Sequence, residues 1–498
     1  MDKKYFMGID IGTSNIKGSV FSTEGEYLEN YSISYNSYFP LENYYEQDPD
    51  DWVNGSLKII EKLLNKIPVI KNFDALALST QGGTFVPVDV NFDPLYRAIT
   101  WQDRRAADLL YKNRKIRNKN IFFYNRTGWR LDSNISILPL YWLKENKKHI
   151  FEKIHKILFV NDYVQNKLCN NGYQDPSNAS ITLFFNIING IWDKDILSLF
   201  DFDVDRFSKI KNSGELVGYL NENICESLRI QDKVKVYNGG HDQYCTALGA
   251  GILNEEGILL STGTAWVIFK MLDKPLLDSK FFFAIGRNII IGKFGLIYTI
   301  PAAGASIKWF ASNVMDINKE SEMFELIDKN SIEFLNLRNK IIFYPYLTGA
   351  FGPDFDTNKR SSFHNIDISH NNLDLVKAIM EGVGFQLKKI LMVLQKKGIK
   401  SPRLKMVGGG TNSKVWPQII SDIIGKEIYI SRDKDVACRG ASMIAAVGAG
   451  YFKNYNEAFD KIGCKFITVR PRREFINFYN KKFINFIRKF NSQDIIRS

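Results

Sequence analysis

The first forty residues carry short apolar runs separated by turns, the pattern of strands rather than of a helix. Tyr5 to Ile11 is apolar and ends at Gly12-Thr13. Ile16 to Ser22 follows after a tight turn, and Glu24-Gly25-Glu26 makes a second turn before the alternating segment Tyr27 to Tyr35. At Asp48-Pro49 the period changes to that of a helix, which runs through about Lys66, with Asp48 as cap and Pro49 at the first helical position. Phe73 to Ser79 predicts a short buried strand and Thr84 to Val90 another, with Asn91-Phe92-Asp93-Pro94 as the turn. Strands first, then helix and strand in alternation, predict an α/β unit with a mixed sheet.

Ala106 to Asn170 reads as mainly helical. Val234 to Tyr237 predicts a strand running into Gly239-Gly240, followed by a helix from about Asp242 to Ala250. Then the pattern restarts. Gly257 to Ser261 is a strand, Thr262-Gly263 a tight turn, and Ala265 to Lys270 the returning strand. Helices at about Leu373 to Lys397 and Asn412 to Ile424, a strand at Glu427 to Ile430 and a helix at Ala437 to Gly450 complete the second half. The restart predicts two domains, 1–250 and 251–498, of duplicated architecture, each opening on a strand, a Gly-Thr turn and a strand back.

Composition narrows the class. A chain of 498 residues is too long for one core, which agrees with two domains. With 45% hydrophobic and 24% charged residues it is an ordered globular protein. The formal charge of +12 comes from lysines spread among acids, so no nucleic-acid partner is expected. No apolar run reaches a membrane span, and no membrane partner is expected. Five scattered cysteines without a CxxC fit reduced thiols in a cytoplasmic enzyme. The basic, aromatic segment Arg473 to Lys489 predicts a helix docked across the two lobes. A homodimer is compatible with all of this.

Candidate chemistry collects at the turns. Asp10 stands at a strand end directly before Gly12-Thr13, where a carboxylate can hold Mg²⁺ beside phosphates; the plainer reading is an Asp that caps its own turn. Glycine in the two Gly-Thr turns lets phosphate approach the amides. Asp242, in Asn238-Gly239-Gly240-His241-Asp242-Gln243, opens a helix and suits the base that takes a proton from an attacking hydroxyl, or else a simple N-cap. His241 reads as its structural neighbour. Gly408-Gly409-Gly410-Thr411-Asn412, between strand and helix, suits a nucleotide. Trp101-Gln102-Asp103-Arg104-Arg105 combines an aromatic with polar groups, as sugars require, and Gln81-Gly82-Gly83 ends a neighbouring strand. Walker A, GxGxxG, GxSxG and HExxH signatures are all missing, which disfavours P-loop, dinucleotide and hydrolase chemistry.

These pieces, in this order along nearly the whole chain, resemble the FGGY carbohydrate kinases of the sugar kinase, Hsp70 and actin superfamily. The resemblance rests on Gly8 to Thr13, Trp101 to Arg105, Gly239 to Asp242, Ser261 to Thr264, Gly408 to Ser413 with Trp416, and Arg439 to Gly450. It implies an α/β fold of two actin-like, ribonuclease H-like lobes with a central cleft, binding ATP and Mg²⁺. It implies Asp10 at the metal, Asp242 as base, and Gly12, Thr13, Thr262, Gly263, Thr264, Gly409, Gly410 and Asn412 on ATP. Gln81, Gly82, Trp101, Asp103 and Asp242 would face a small sugar or polyol. Xylulokinases usually carry Gln-Met-His where this chain has Gln81-Gly82-Gly83, so the sugar pocket is expected to be reshaped. A pentulose or related ketose leads, followed by a sugar acid, a polyol or an autoinducer-type furanone. The rivals are an ATPase with a structural or chaperone role and a silent sugar-binding regulator.

Overall fold

The computed structural model describes residues 3–67, 73–317, 319–350, 352–353, 356, 358–400 and 403–495. The chain forms two compact units. One comprises Met1–Glu255, Met271–Leu296 and Asp435–Cys464; the other comprises Glu256–Lys270, Ile297–Lys434 and Lys465–Ser498.

In the first unit the expected hairpin is present. Tyr5–Ile11 pairs antiparallel with Asn15–Ser22, which pairs antiparallel with Tyr27–Ser34. On its other side Tyr5–Ile11 pairs in parallel with Ala75–Thr80, and that strand in parallel with Lys235–His241. The outer strand is Leu216–Tyr219. The central strands are apolar on both faces because both faces are covered. Helix Pro49–Lys66 lies against the hairpin, capped by Asp48 through the Asp50 amide, with Trp52, Ile59, Ile60 and Leu63 fully buried. Helix Val436–Gly448 lies against Tyr5–Ile11 and Ala75–Thr80. It comes so close that a Cβ on Gly8 would sit 1.9 Å from the Cys438 carbonyl oxygen. Gly440 meets helix Asp242–Gly249 in the same way, 1.9 Å from the Cys245 carbonyl oxygen. Glycine is required at both crossings because no side chain fits between the backbones.

The second unit repeats the plan. Gly257–Thr262 pairs antiparallel with Trp266–Leu272 and in parallel with Arg403–Gly408, which pairs in parallel with Ile428–Ile430. One expectation shifts here. The helix expected from Asn412 begins at Trp416, because Gly409–Thr411 forms a 3-10 turn and the Ser413 hydroxyl accepts the Val415 and Trp416 amides. The C-terminal segment forms the expected helix, Arg473–Ile495, and is bound within its own unit. Its Lys482 ammonium is buried on the Glu381 carboxylate and on Asn339, while the Tyr479 hydroxyl donates to Glu381 at 3.0 Å. Among the described residues no helix is long and apolar enough to cross a membrane.

Candidate active site

In a parallel sheet, ligands bind beyond the carboxyl ends of the strands. The first unit gathers its candidate acids there. Asp10, Ser79 and Gly240 are cross-strand neighbours on three adjacent parallel strands, and Ser79 Oγ donates to Asp10 Oδ1 at 2.6 Å. The third strand reaches this edge through an irregularity between Tyr237 and Gly240. At its centre, a Cβ on Gly239 would lie 1.7 Å from the Leu78 carbonyl oxygen.

The helix that follows begins at Asp242, as expected, but Asp242 is not its cap. His241, not Asp242, is the N-cap: its Nδ1 accepts the Gln243 amide at 3.2 Å. Asp242 is therefore the first helical residue, and its side chain keeps 28% exposure. Burial pushes the Asp242 carboxyl up to about 6, opposed by hydrogen bonds from Gln243. Burial and then the charge of Asp242 push the Asp10 carboxyl up to about 7, opposed by Ser79 and by Lys17. The two acids therefore share one electrostatic environment. Among the described residues no three His, Cys, Asp or Glu side chains converge on a metal cage. Lone carboxylates beside a phosphate site fit Mg²⁺, which takes one or two of them and completes its shell with phosphate and water.

The Gly12-Thr13 turn is held from behind. Tyr35 donates its hydroxyl to the Gly12 carbonyl, Gln47 Nε2 donates to the Thr13 carbonyl at 2.7 Å, and the Trp101 indole donates to Thr13 Oγ1 at 3.1 Å. The Gly12 amide is engaged by Asn15 at 3.0 Å, and among the described residues a Cβ on Gly12 would meet nothing but Asn15 O at 3.4 Å. One face of the turn is thus open to a ligand. In the second unit the Gly263 amide donates to Ala265 at 3.2 Å, and among the described residues a Cβ on Gly263 would meet only that oxygen at 3.6 Å. The Ala305 amide fixes the Thr264 carbonyl at 2.9 Å. Gly408, at φ 92°, turns the chain into Gly409–Thr411, and Asn412 donates its amide to Gly409 at 3.1 Å.

Two of the expected sugar contacts have other partners. Gln81 is buried beneath the first turn, where its Nε2 donates to Gln47 Oε1 at 2.8 Å and to the Tyr35 hydroxyl at 3.2 Å. Asp103 is fully buried, with one oxygen on the Arg105 amide and Nε, both at 2.9 Å. Its other oxygen lies 2.7 Å from the Tyr45 amide and 2.9 Å from Arg105 Nη2. Glu46 pairs with the same guanidinium at 2.8 Å, which stacks over Tyr44 at 4.0 Å. Both residues are thus engaged by protein partners. Trp101, 42% exposed, and the half-buried Gly82 remain nearer the surface, whereas Gly83 is buried. Tyr35, Glu46 and Gln47 escaped the sequence reading. The only signal was their position between the first hairpin and Asp48-Pro49, since a buried polar pair leaves no trace in hydrophobic period.

Duplicated hairpin-and-parallel-strand units with paired acids at a strand edge define an actin-like ATPase of the sugar-kinase class. The chain belongs to the FGGY family of carbohydrate kinases: residues 5–249 match its N-terminal domain and residues 258–449 its C-terminal domain. It is 27% identical over 453 residues to the xylulose kinase of Staphylococcus xylosus, covering 91% of this chain and 92% of that protein. It is 25% identical over 471 residues to the gluconokinase of Bacillus subtilis, covering 92% and 90%. The fold matches the crystal structure of xylulose kinase from Rhodospirillum rubrum with a TM-score of 0.89 at 18% identity, covering 99% of each chain. The chain is an ATP-dependent, Mg²⁺-using carbohydrate kinase, which sets aside the chaperone and structural ATPase readings.

Proposed function

We propose that this kinase phosphorylates a hydroxyl of a pentulose or related ketose, with Asp242 as general base and Asp10 as the protein ligand of Mg²⁺. The observation that carries the reading is Asp242 itself. It is a partly exposed carboxylate at the first position of a helix, raised to about 6, on the same strand edge as Asp10. A base with that affinity is ionised at neutral pH yet still accepts a proton as the hydroxyl attacks. Bound Mg²⁺ would neutralise charge on the transferred phosphoryl group.

The division of labour follows the chain. Residues 1–250 supply the base and the sugar site, with Gly82 and Trp101 at its surface and Gln81 and Asp103 ordering it. Residues 251–498 supply the nucleotide site through Thr262, Gly263, Thr264, Gly409, Gly410 and Asn412, while Gly12 and Thr13 offer the first unit's turn to the phosphates. Catalysis rests on positioning and electrostatics. Several relatives named xylulose kinase support the ketose reading. A sugar acid is second, because gluconokinases are relatives as well. Against it, the Arg105 guanidinium that could meet a carboxylate is already held by Asp103 and Glu46. The reading takes the chain as a cytoplasmic enzyme that needs neither nucleic acid nor membrane; chromatography with light scattering tests the homodimer.

The test is sugar-dependent ADP formation over a panel of ketoses, polyols, furanones and aldonic acids. A pentulose should give the highest kcat/KM. An aldonate ahead of every ketose would replace the substrate, and no turnover with any member would remove the reading and favour a silent sugar binder.

A further inference from the structure

This inference rests on the phosphoryl-transfer reading and concerns how the sugar is chosen. A Cβ placed on Gly82 would lie 1.8 Å from Ile181 Cδ1, 2.4 Å from His241 Cδ2 and 2.8 Å from His241 Nε2. The volume that a side chain at position 82 would fill is occupied instead by the His241 ring and the tip of Ile181. The pocket is therefore relined with a polar group.

The ring is held firmly. The His241 amide donates to Ser177 Oγ at 2.9 Å, and Ser177 in turn donates to the buried Asp175 carboxylate. The Tyr244 ring meets the imidazole edge-on, with centroids 5.7 Å apart. Nδ1 accepts the Gln243 amide. An amide can only donate, so Nδ1 keeps its lone pair and the proton of the neutral ring sits on Nε2. Burial keeps the ring neutral by pushing it down to about 4. Among the described residues Nε2 has no hydrogen-bond partner, and the His241 side chain keeps only 10% exposure. A buried ring N–H without a protein partner among the described residues thus belongs to the residue beside Asp242, whose Oδ1 is 3.3 Å from Nδ1.

We propose that His241 is a specificity-determining residue: its Nε2–H donates to a sugar oxygen adjacent to the hydroxyl that Asp242 deprotonates. A donor beside an acceptor matches a vicinal diol or an α-hydroxyketone. One oxygen gives its proton to Asp242 and its neighbour accepts from His241. A site built around a polar partner rejects analogues that lack it, because the partner is left unpaired.

Two substitutions separate this role from capping. In His241→Asn the amide oxygen stands where Nδ1 stood and can still accept from Gln243, but nothing reaches the place of Nε2. In His241→Gln the amide nitrogen reaches that place. With the best sugar of the panel, His241→Asn should raise the sugar KM about 10- to 100-fold, as loss of one polar contact does. The KM for ATP should stay within about twofold, and His241→Gln should recover most of the loss. Wild-type enzyme should also reject a deoxy analogue lacking the neighbouring oxygen, and His241→Asn should not discriminate. An unchanged sugar KM in His241→Asn, equal damage in both variants, or deoxy discrimination that survives in His241→Asn overturns the proposal. A wild-type enzyme without sugar-dependent ADP formation overturns the kinase reading and the inference together.

Discussion

Thr262 and Gly410, 148 residues apart in sequence, share a hydrogen bond: the Thr262 hydroxyl accepts the Gly410 amide at 3.0 Å while donating to the Val407 carbonyl at 2.6 Å. The turn of the second hairpin and the glycine run are therefore one rigid piece. The Thr262 hydroxyl works inside the protein, at 2% exposure. Thr262→Val leaves the amide and the carbonyl buried and unpaired. We expect a loss of about 1–3 kcal/mol in urea unfolding and weaker ATP binding by calorimetry. Thr262→Ser should keep both near wild type.

Asp242→Asn should keep ATP binding and lower kcat by about 100-fold or more, since the base is gone. The pH dependence has a definite sign. The carboxyl titrates at about 6 in the folded chain and works ionised, so kcat/KM should fall as pH drops through about 6. His241, held down to about 4, contributes no limb in that range. Folding raises the Asp242 carboxyl, so its ionisation opposes folding above about pH 6. Asp242→Asn should accordingly melt higher than wild type at pH 7.5, and an equal or lower Tm would show that the strain lies elsewhere.

Asp103→Asn separates ordering from sugar contact. The substitution removes one of the two carboxylates holding the buried Arg105 guanidinium. Thermal unfolding should report a loss of about 3 kcal/mol, the scale of breaking a buried pair. The sugar KM of the folded enzyme should move by less than about threefold, well short of the loss of a hydroxyl contact. A raised KM with an unchanged Tm would restore the direct contact expected from the sequence.

The C-terminal helix depends on Lys482 and Glu381, whose side chains are 5% and 1% exposed. Glu381→Gln strands an ammonium in the core and should cost about 3–5 kcal/mol, whereas the double variant Glu381→Leu with Lys482→Met should recover most of it. Limited proteolysis of the single variant should cut within Arg473–Ile495 first.

The sequence by itself determined the strands of the two duplicated hairpins, the helix at Asp48-Pro49 and the positions of Asp10 and Asp242. These follow from local period, turn chemistry and glycine spacing, which act over a few residues. Only the tertiary structure decided which polar side chains remain available. Asp103 and Gln81 look alike in sequence to any sugar-binding pair, but Arg105 and Tyr45 take up the one, and Gln47 and Tyr35 the other. His241 looked like a mere neighbour until Gly82 left room for its ring and Gln243 fixed its proton. The physical reason is that a hydrogen-bonding group has few partners, and burial assigns them between segments that sequence proximity does not connect.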